Sequence, residues 1–191
     1  MVESLDAYRI AKYLRAQGEP IQGIEQFLLQ YCDAEPLTQE GYPIYVLKTQ
    51  GEDNSCVFLK EGRCSVYPAR TRTCRLYPFS VGPGTRGRDF EYCLCMDRHQ
   101  NHFTGGQISA KDWLYQNFKR EDKEYLKREF EMAKELGALM RAIDSTQLQG
   151  AIFRVLYYHY YHFDLDQSFL PQYEQNNRQL IQELQRFAAE D

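Results

Sequence analysis

No apolar run in the sequence approaches the roughly 20 residues that a helix needs to cross a bilayer, so no membrane span is expected. The opening stretch, MVESLDAYRIAKYL, carries neither the basic leader nor the apolar core of a secretory signal. A cytoplasmic protein is therefore expected, and in that compartment cysteines stay reduced. Positive charge is not in excess: 23 Lys and Arg stand against 27 Asp and Glu, for a net charge of -4. That balance gives no global attraction to nucleic acid or to an anionic membrane, and neither partner is expected. Histidine is scarce, with 4 in 191 residues, and no Ser-His-Asp or Cys-His arrangement suited to nucleophilic catalysis is visible. Internal repeats and low-complexity tracts are absent as well.

Aromatic residues are abundant by contrast, with 15 Tyr and 11 Phe against a single Trp. The tyrosine ring with its polar tip suits half-buried surfaces. Ser4 or Asp6 can cap a first helix whose Ile10, Tyr13 and Leu14 share a face, with Gly18 and Pro20 ending it. Ile21, Ile24, Leu28 and Tyr31 recur at the spacing of a second helix. DAEPLTQEGYP reads as a loop, IYVLK as a strand, SVGPGTRGRD as a loop and FEYCLC as another strand. Ser109 and Asp112 have the spacing of a capping box. They open a helical region running to about Ile143, striped by Leu126, Phe130, Ala133, Gly137 and Met140. In TQLQGAIFRVLYYHYYHF the β-formers compete with Leu148, Ile152 and Val155 at helical spacing, and helix is favoured. Pro171 suits the first turn of a last helix, with Tyr173, Leu180, Ile181, Leu184 and Phe187 as its apolar positions. The expected fold is α+β and predominantly helical. Residues 1–108 form a cysteine-bearing core with a small hairpin or sheet, and residues 109–191 a helical half packed on it as one domain.

Three of the 6 cysteines fall in CVFLKEGRCSVYPARTRTCRLYPF, residues 56–79. CVFLK and RCSVY flank a turn and read as a β-hairpin. A two-residue Glu61-Gly62 turn needs Glu61 at positive φ, which favours instead a three-residue loop closed by Gly62 in the left-handed region. In that register Phe58 faces Cys64, Val66 faces Cys56, and both sulfurs point to one side. Pro68 can start a short helix that Pro78 stops, placing Arg70 and Thr71 on the face of Cys74. A guanidinium beside a thiol favours the thiolate, the form that binds metal. Three thiolates plus a fourth ligand suit a tetrahedral zinc or an iron-sulfur cluster. Cys93 and Cys95, on one face of a strand, are candidates for the fourth position, with His99 and His102 secondary. None of the gaps is the CxxC of familiar zinc motifs, and the same thiols could serve as small apolar core residues.

This segment resembles the YkgJ-type cysteine-cluster family, described as zinc- or iron-chelating. Cys56, Cys64, Val66, Tyr67, Arg70, Cys74, Arg75, Tyr77, Pro78 and Phe79 stand where that family's second motif has them, with Thr71 replacing its usual proline. The flanking helices and the Cys93 to Cys95 region fit more loosely. The family's first motif, CxxCxxCC, is absent from the sequence, which begins only a few residues before the helix that the motif precedes in relatives. A start-codon choice or a shortened chain is the expectation, with partial metal occupancy. The resemblance implies Cys56, Cys64, Cys74, Cys95 and Cys93 as metal ligands and zinc or an iron-sulfur cluster as cofactor. The family is also similar, in its cysteine region, to bacterial flagellin lysine methylases. Methyl transfer to a protein substrate is thus an implied alternative, although no cofactor-binding motif or catalytic residue is recognisable for it. A metal-free interaction protein with structural cysteines and a protein partner is the third reading.

Other motifs weigh less. GPGTRG, residues 82–87, spells G-x-G-x-x-G, but no helix opens on its last glycines, so a turn-rich loop is favoured. His159 and His162 continue the stripe of Leu148, Ile152 and Val155 and both can face the core, without a carboxylate positioned beside them. Asp164 and Asp166 lack the glycine and distal glutamate of a calcium loop. Cys32 reads as a lone buried thiol. Arg63, Arg72, Arg75, Arg86 and Arg88 add local positive charge, but few exposed aromatics interleave them as an RNA surface requires.

Overall fold

The computed structural model describes residues 1–37, 42–84, 90–96 and 108–189. In chain order these form α1 (Ser4–Ala16), α2 (Ile24–Tyr31), β1 (Cys32–Pro36), β2 (Pro43–Leu47), β3 (Thr49–Gln50), β4 (Ser55–Cys56), β5 (Leu59–Lys60) and β6 (Arg63–Cys64). A 3-10 turn (Tyr67–Ala69), α3 (Arg72–Leu76), β7 (Phe79–Pro83), β8 (Phe90–Leu94), α4 (Ala110–Asn117) and α5 (Arg120–Ala142) follow. The chain ends with α6 (Leu148–Leu156), a π-turn (Tyr157–Tyr161) and α7 (Phe169–Phe187). The fold is α+β and predominantly helical, and the described strands join only in antiparallel pairs. Two compact units are present: Met1–Thr71 with Met132–Asp191, and Arg72–Glu131.

The first unit holds most of the apolar core. In α1, Leu5, Ala7, Tyr8, Ile10, Ala11 and Leu14 are all buried, and Gly18 at φ +88° reverses the chain after it. Ile21 is buried but precedes α2, which starts at Ile24 rather than at Ile21. The expected loop DAEPLTQEGYP is corrected at its start. Cys32 to Pro36 form a strand paired residue by residue with β2, from Cys32 opposite Leu47 to Pro36 opposite Pro43. These residues have little β propensity of their own; the ladder with Ile44, Tyr45 and Val46 supplies it.

The second part of this unit is a helical pair. Ala151, Val155 and Tyr158 pack with Met132, Ile143, Leu180 and Leu184, and Ile181 and Phe187 border that cluster. Ala133, expected in the stripe of the long helix, is exposed, and Met132 takes the buried position. The larger side chain gains more from burial, at about 25 cal/mol per Å² of apolar surface. The helix favoured over 148–156 forms and then widens into the π-turn, closed by His162 N–H donating to the Tyr157 carbonyl at 2.9 Å. The wider turn changes the phase of the stripe. His159 stays buried, its ring 6.0 Å from that of Tyr173, whereas His162 is exposed, so of the two histidines that could face the core only the first does. Beyond the turn, Asp164 accepts from the Asp166 amide, and Arg15 pairs with Asp166 at 2.6 Å.

In the second unit, Ser109 caps α4 as expected, accepting from the Asp112 amide at 3.1 Å. The helical region then breaks at Phe118 instead of running unbroken to Ile143. Asp122 restarts it by accepting from the Lys119 amide at 3.0 Å, which satisfies one of the first-turn donors of α5. Leu76, Phe118, Tyr125 and Leu126 form the buried centre of this unit. SVGP, expected within a loop, is part of β7 and pairs with β8 from Phe79 opposite Leu94 to Pro83 opposite Phe90. The strand rich in aromatics again imposes extension on a partner with few β-formers.

Candidate metal centre

The cysteine hairpin does not take the expected register. Leu59 pairs with Cys64 and Lys60 with Arg63, leaving Glu61 (φ 50°) and Gly62 (φ 74°) as a two-residue turn. A left-handed Glu costs on the order of 1–2 kcal/mol, but a turn of this hand matches the twist of the strands it joins. Packing settles the balance. Phe58 is 2% exposed, its ring 4.9 Å from that of Tyr31, and its carbonyl accepts from the Ser65 amide at 2.8 Å. Phe58 thus stands opposite Ser65, not Cys64. Cys56 lies outside this ladder, in β4 opposite Thr49. The expected Phe58–Cys64 and Val66–Cys56 pairings are therefore corrected, and this ladder does not place the two sulfurs on one side.

The helix expected from Pro68 to Pro78 is interrupted as well. After the 3-10 turn, Arg70 adopts ψ 150°, and α3 begins only at Arg72. Arg70 therefore shares no helix face with Cys74; its guanidinium stacks over the Tyr67 ring at 3.7 Å. Arg75 is the arginine that fixes α3. Its two terminal nitrogens donate to both oxygens of Asp122 at 2.9 and 2.8 Å, and one also donates to the Asn117 carbonyl at 3.0 Å. The Trp113 indole donates to the Leu76 carbonyl at 3.0 Å. Cys74, immediately before these inward anchors in sequence, is exposed.

On β8, Phe90 and Tyr92 pack against Phe118 with ring centroids 5.2 and 6.2 Å apart. Strand alternation turns Cys93 to the opposite face. Cys93 stands opposite Ser80, and the Cys95 amide extends the ladder by donating to the Pro78 carbonyl at 2.8 Å. Pro78 lies two residues beyond the end of α3, whose last bond runs from the Tyr77 amide to the Thr73 carbonyl at 3.1 Å.

All 6 cysteines are thiols: Cys74 and Cys93 exposed, Cys56, Cys64 and Cys95 half-buried, Cys32 buried. Burial pushes the Cys32 thiol up to about 12, with Lys48 opposing the shift and Asp33 adding to it, so it is a neutral core group at physiological pH. Cys74, Cys93 and Cys95 belong to the second unit and Cys56 and Cys64 to the first. Among the described residues no three His, Cys, Asp or Glu side chains come together as a metal site. The donors fit zinc or iron in kind, being accessible soft ligands, although their positions do not form a closed set. His99, His102, Arg86 and Arg88 lie outside the described residues, as do residues 85–87 of the GPGTRG stretch, whose Gly82 and Pro83 end β7. Asp122 is the member of this region that sequence reasoning missed. Nothing local links positions 75 and 122, and the only sequence hint is an acidic residue in the first turn of a helix.

No helix among the described residues is long and apolar enough to cross a membrane. No curated protein and no solved structure matches the chain. The sequence model of the CxxCxxCC family, described as "Putative zinc- or iron-chelating domain", matches residues 10–126. That span includes the whole Cys56 to Phe79 motif, the Cys93–Cys95 strand and the helix start that carries Asp122. With more than half of its length under this match, the chain belongs to the CxxCxxCC family.

Proposed function

We propose that the chain binds zinc or an iron centre through cysteine thiolates, with Cys74, Cys93 and Cys95 as the ligands of the second unit and Cys56 and Cys64 as further candidates in the first. The observation that carries this reading is the hydrogen bond from the Cys95 amide to the Pro78 carbonyl, which continues the β7–β8 ladder into the short turn that follows the Cys74 helix. Three thiols on adjoining elements are a soft donor set, which suits zinc or iron-sulfur chemistry and not magnesium or calcium. Thiols lose their protons on ligating a metal, so uptake strengthens as pH rises through the thiol range.

The test is metal analysis of anaerobically purified protein together with cobalt titration followed by its thiolate absorption. Single Cys→Ser variants at 74, 93 and 95 weaken cobalt binding, whereas Cys32→Ser leaves it unchanged. The same titration on Cys56→Ser and Cys64→Ser reads whether the hairpin thiols take part. Undiminished binding in a chain lacking Cys74, Cys93 and Cys95 sinks the assignment.

A further inference from the structure

We infer that Asp122 is a positioning residue for the Cys74 thiol, acting through Arg75. The inference deepens the metal reading above, and one of its measurements stands without it.

The helix that bears Cys74, α3, is short. Five residues make little more than one turn, too few to hold a helix by its own hydrogen bonds. Its orientation must come from outside, and two anchors supply it. Arg75 is 13% exposed in its side chain and meets Asp122, which is 1% exposed, through a fork of two parallel bonds. Leu76 is fully buried, and its carbonyl accepts from Trp113. Successive helical residues are about 100° apart around the axis. Holding Arg75 and Leu76 inward therefore fixes the direction of Cys74, one step earlier, toward solvent. Asp122 cannot yield easily, because its second task is to cap α5 through the Lys119 amide. The carboxylate thus joins three elements: the turn before α5, the carbonyl end of α4 through the shared Arg75, and the helix that bears the thiol. Loss of the pair frees α3 to rotate and leaves a guanidinium buried without its counter-charge.

The experiment uses the whole chain with zinc alone as the probe. Asp122→Asn keeps the shape and the capping oxygen but gives up the charge and one acceptor. Zinc affinity, read by competition with a chromophoric chelator, falls about 10- to 100-fold, as supporting-shell substitutions typically do. In a Cys74→Ser background the same substitution costs nothing further, because the effect runs through that thiol. Cys32 stays unreactive to a thiol reagent, which shows that the first unit is intact. If Asp122→Asn exposes Cys32, Arg75→Lys replaces it: the charge is kept, the fork is lost, and a smaller drop in affinity is expected. Unchanged zinc affinity, or an equal loss with and without Cys74, overturns the inference. If the native chain takes up no zinc, the metal reading fails and hydrogen exchange decides. Faster exchange of the Tyr77 amide in Asp122→Asn upholds the positioning role, and unchanged exchange overturns it.

Discussion

Asn176, buried on α7, donates its side-chain amide to two backbone carbonyls of the facing π-turn region, Tyr158 at 3.1 Å and His162 at 2.7 Å. A π-turn leaves carbonyls off the regular helical ladder, and in a buried setting each must find a donor. One amide group supplies two. The Tyr45–Tyr160 ring contact at 4.8 Å and the bond from the Tyr160 hydroxyl to the Val2 carbonyl at 3.2 Å use the same turn. The chain's first residues and its last helix are thereby linked through a single irregular segment.

Replacing Asn176 by Leu keeps the volume and removes both donors. Each buried carbonyl left unpaired costs about 1–3 kcal/mol, so a loss of about 2–6 kcal/mol in unfolding free energy is expected. Urea titration followed by circular dichroism reads it directly. Asn176→Asp is expected to be at least as damaging, because a carboxylate facing two carbonyls offers no donor.

The Glu61-Gly62 turn predicts effects of both signs. No atom lies within 4 Å of where a Cβ on Gly62 would sit, so backbone conformation alone decides the effect of a side chain there. Gly62→Ala, at φ 74°, is expected to destabilise by about 1–2 kcal/mol. Glu61→Asn brings the pair to Asn-Gly, the favoured sequence for such turns, and is expected to stabilise by about 0.5 kcal/mol or more. Thermal midpoints of the two variants should fall on either side of the parent.

The helices were legible where a stripe and a boundary signal coincide: Gly18 after α1, Ser109 before α4, and the Tyr173, Leu180 and Leu184 stripe of α7. The family motif was legible from Cys56 to Phe79 without any structure. What escaped reading depends on distant partners. Cys32 to Pro36 extend because β2 pairs with them, and the hairpin register follows from Phe58 packing on Tyr31. The break at Arg70 and the turn at His162 shift residues off faces that regular periodicity assigns to them. Asp122 pairs with an arginine 47 positions earlier, and no local pattern encodes that.

Cys32 gives a pH-dependent prediction. Its thiol rises from an ordinary value of 9.0 to about 12 in the folded chain, chiefly through burial. Between those values the unfolded chain has released a proton that the folded chain retains, so stability falls as pH rises through the window. The stabilisation is complete below pH 9 and lost toward pH 12. Burial and the Tyr161 hydroxyl also raise Tyr45; parent and variant share that contribution apart from the smaller part that the Cys32 charge adds, whose loss in the variant acts in the same direction. Cys32→Ala should therefore show a flatter decline in urea midpoint from neutral pH into the alkaline range. A parallel decline would show that the thiol ionises as readily folded as unfolded.

Metal removal tests how far the fold depends on its thiols. Structural zinc contributes on the order of 10–16 kcal/mol to small zinc-folded peptides, which unfold when chelated. This chain has another source of stability. Ile10, Ile21, Ile24, Phe27, Tyr173, Leu180 and Leu184 are fully buried in the first unit, and Leu76, Leu126 and Phe118 are 2% exposed or less in the second. Each such side chain contributes about 1.5–3 kcal/mol by leaving water. Of the cysteines only Cys32 is buried with them, and its raised proton affinity makes it a poor ligand. Chelation is therefore expected to leave the far-ultraviolet spectrum unchanged and to move the thermal midpoint by only a few degrees, while alkylation of Cys74, Cys93 and Cys95 accelerates. A collapse of helicity on chelation would mean that the metal organises the apolar core, and that the stripes on α1, α2 and α7 do not suffice to hold it.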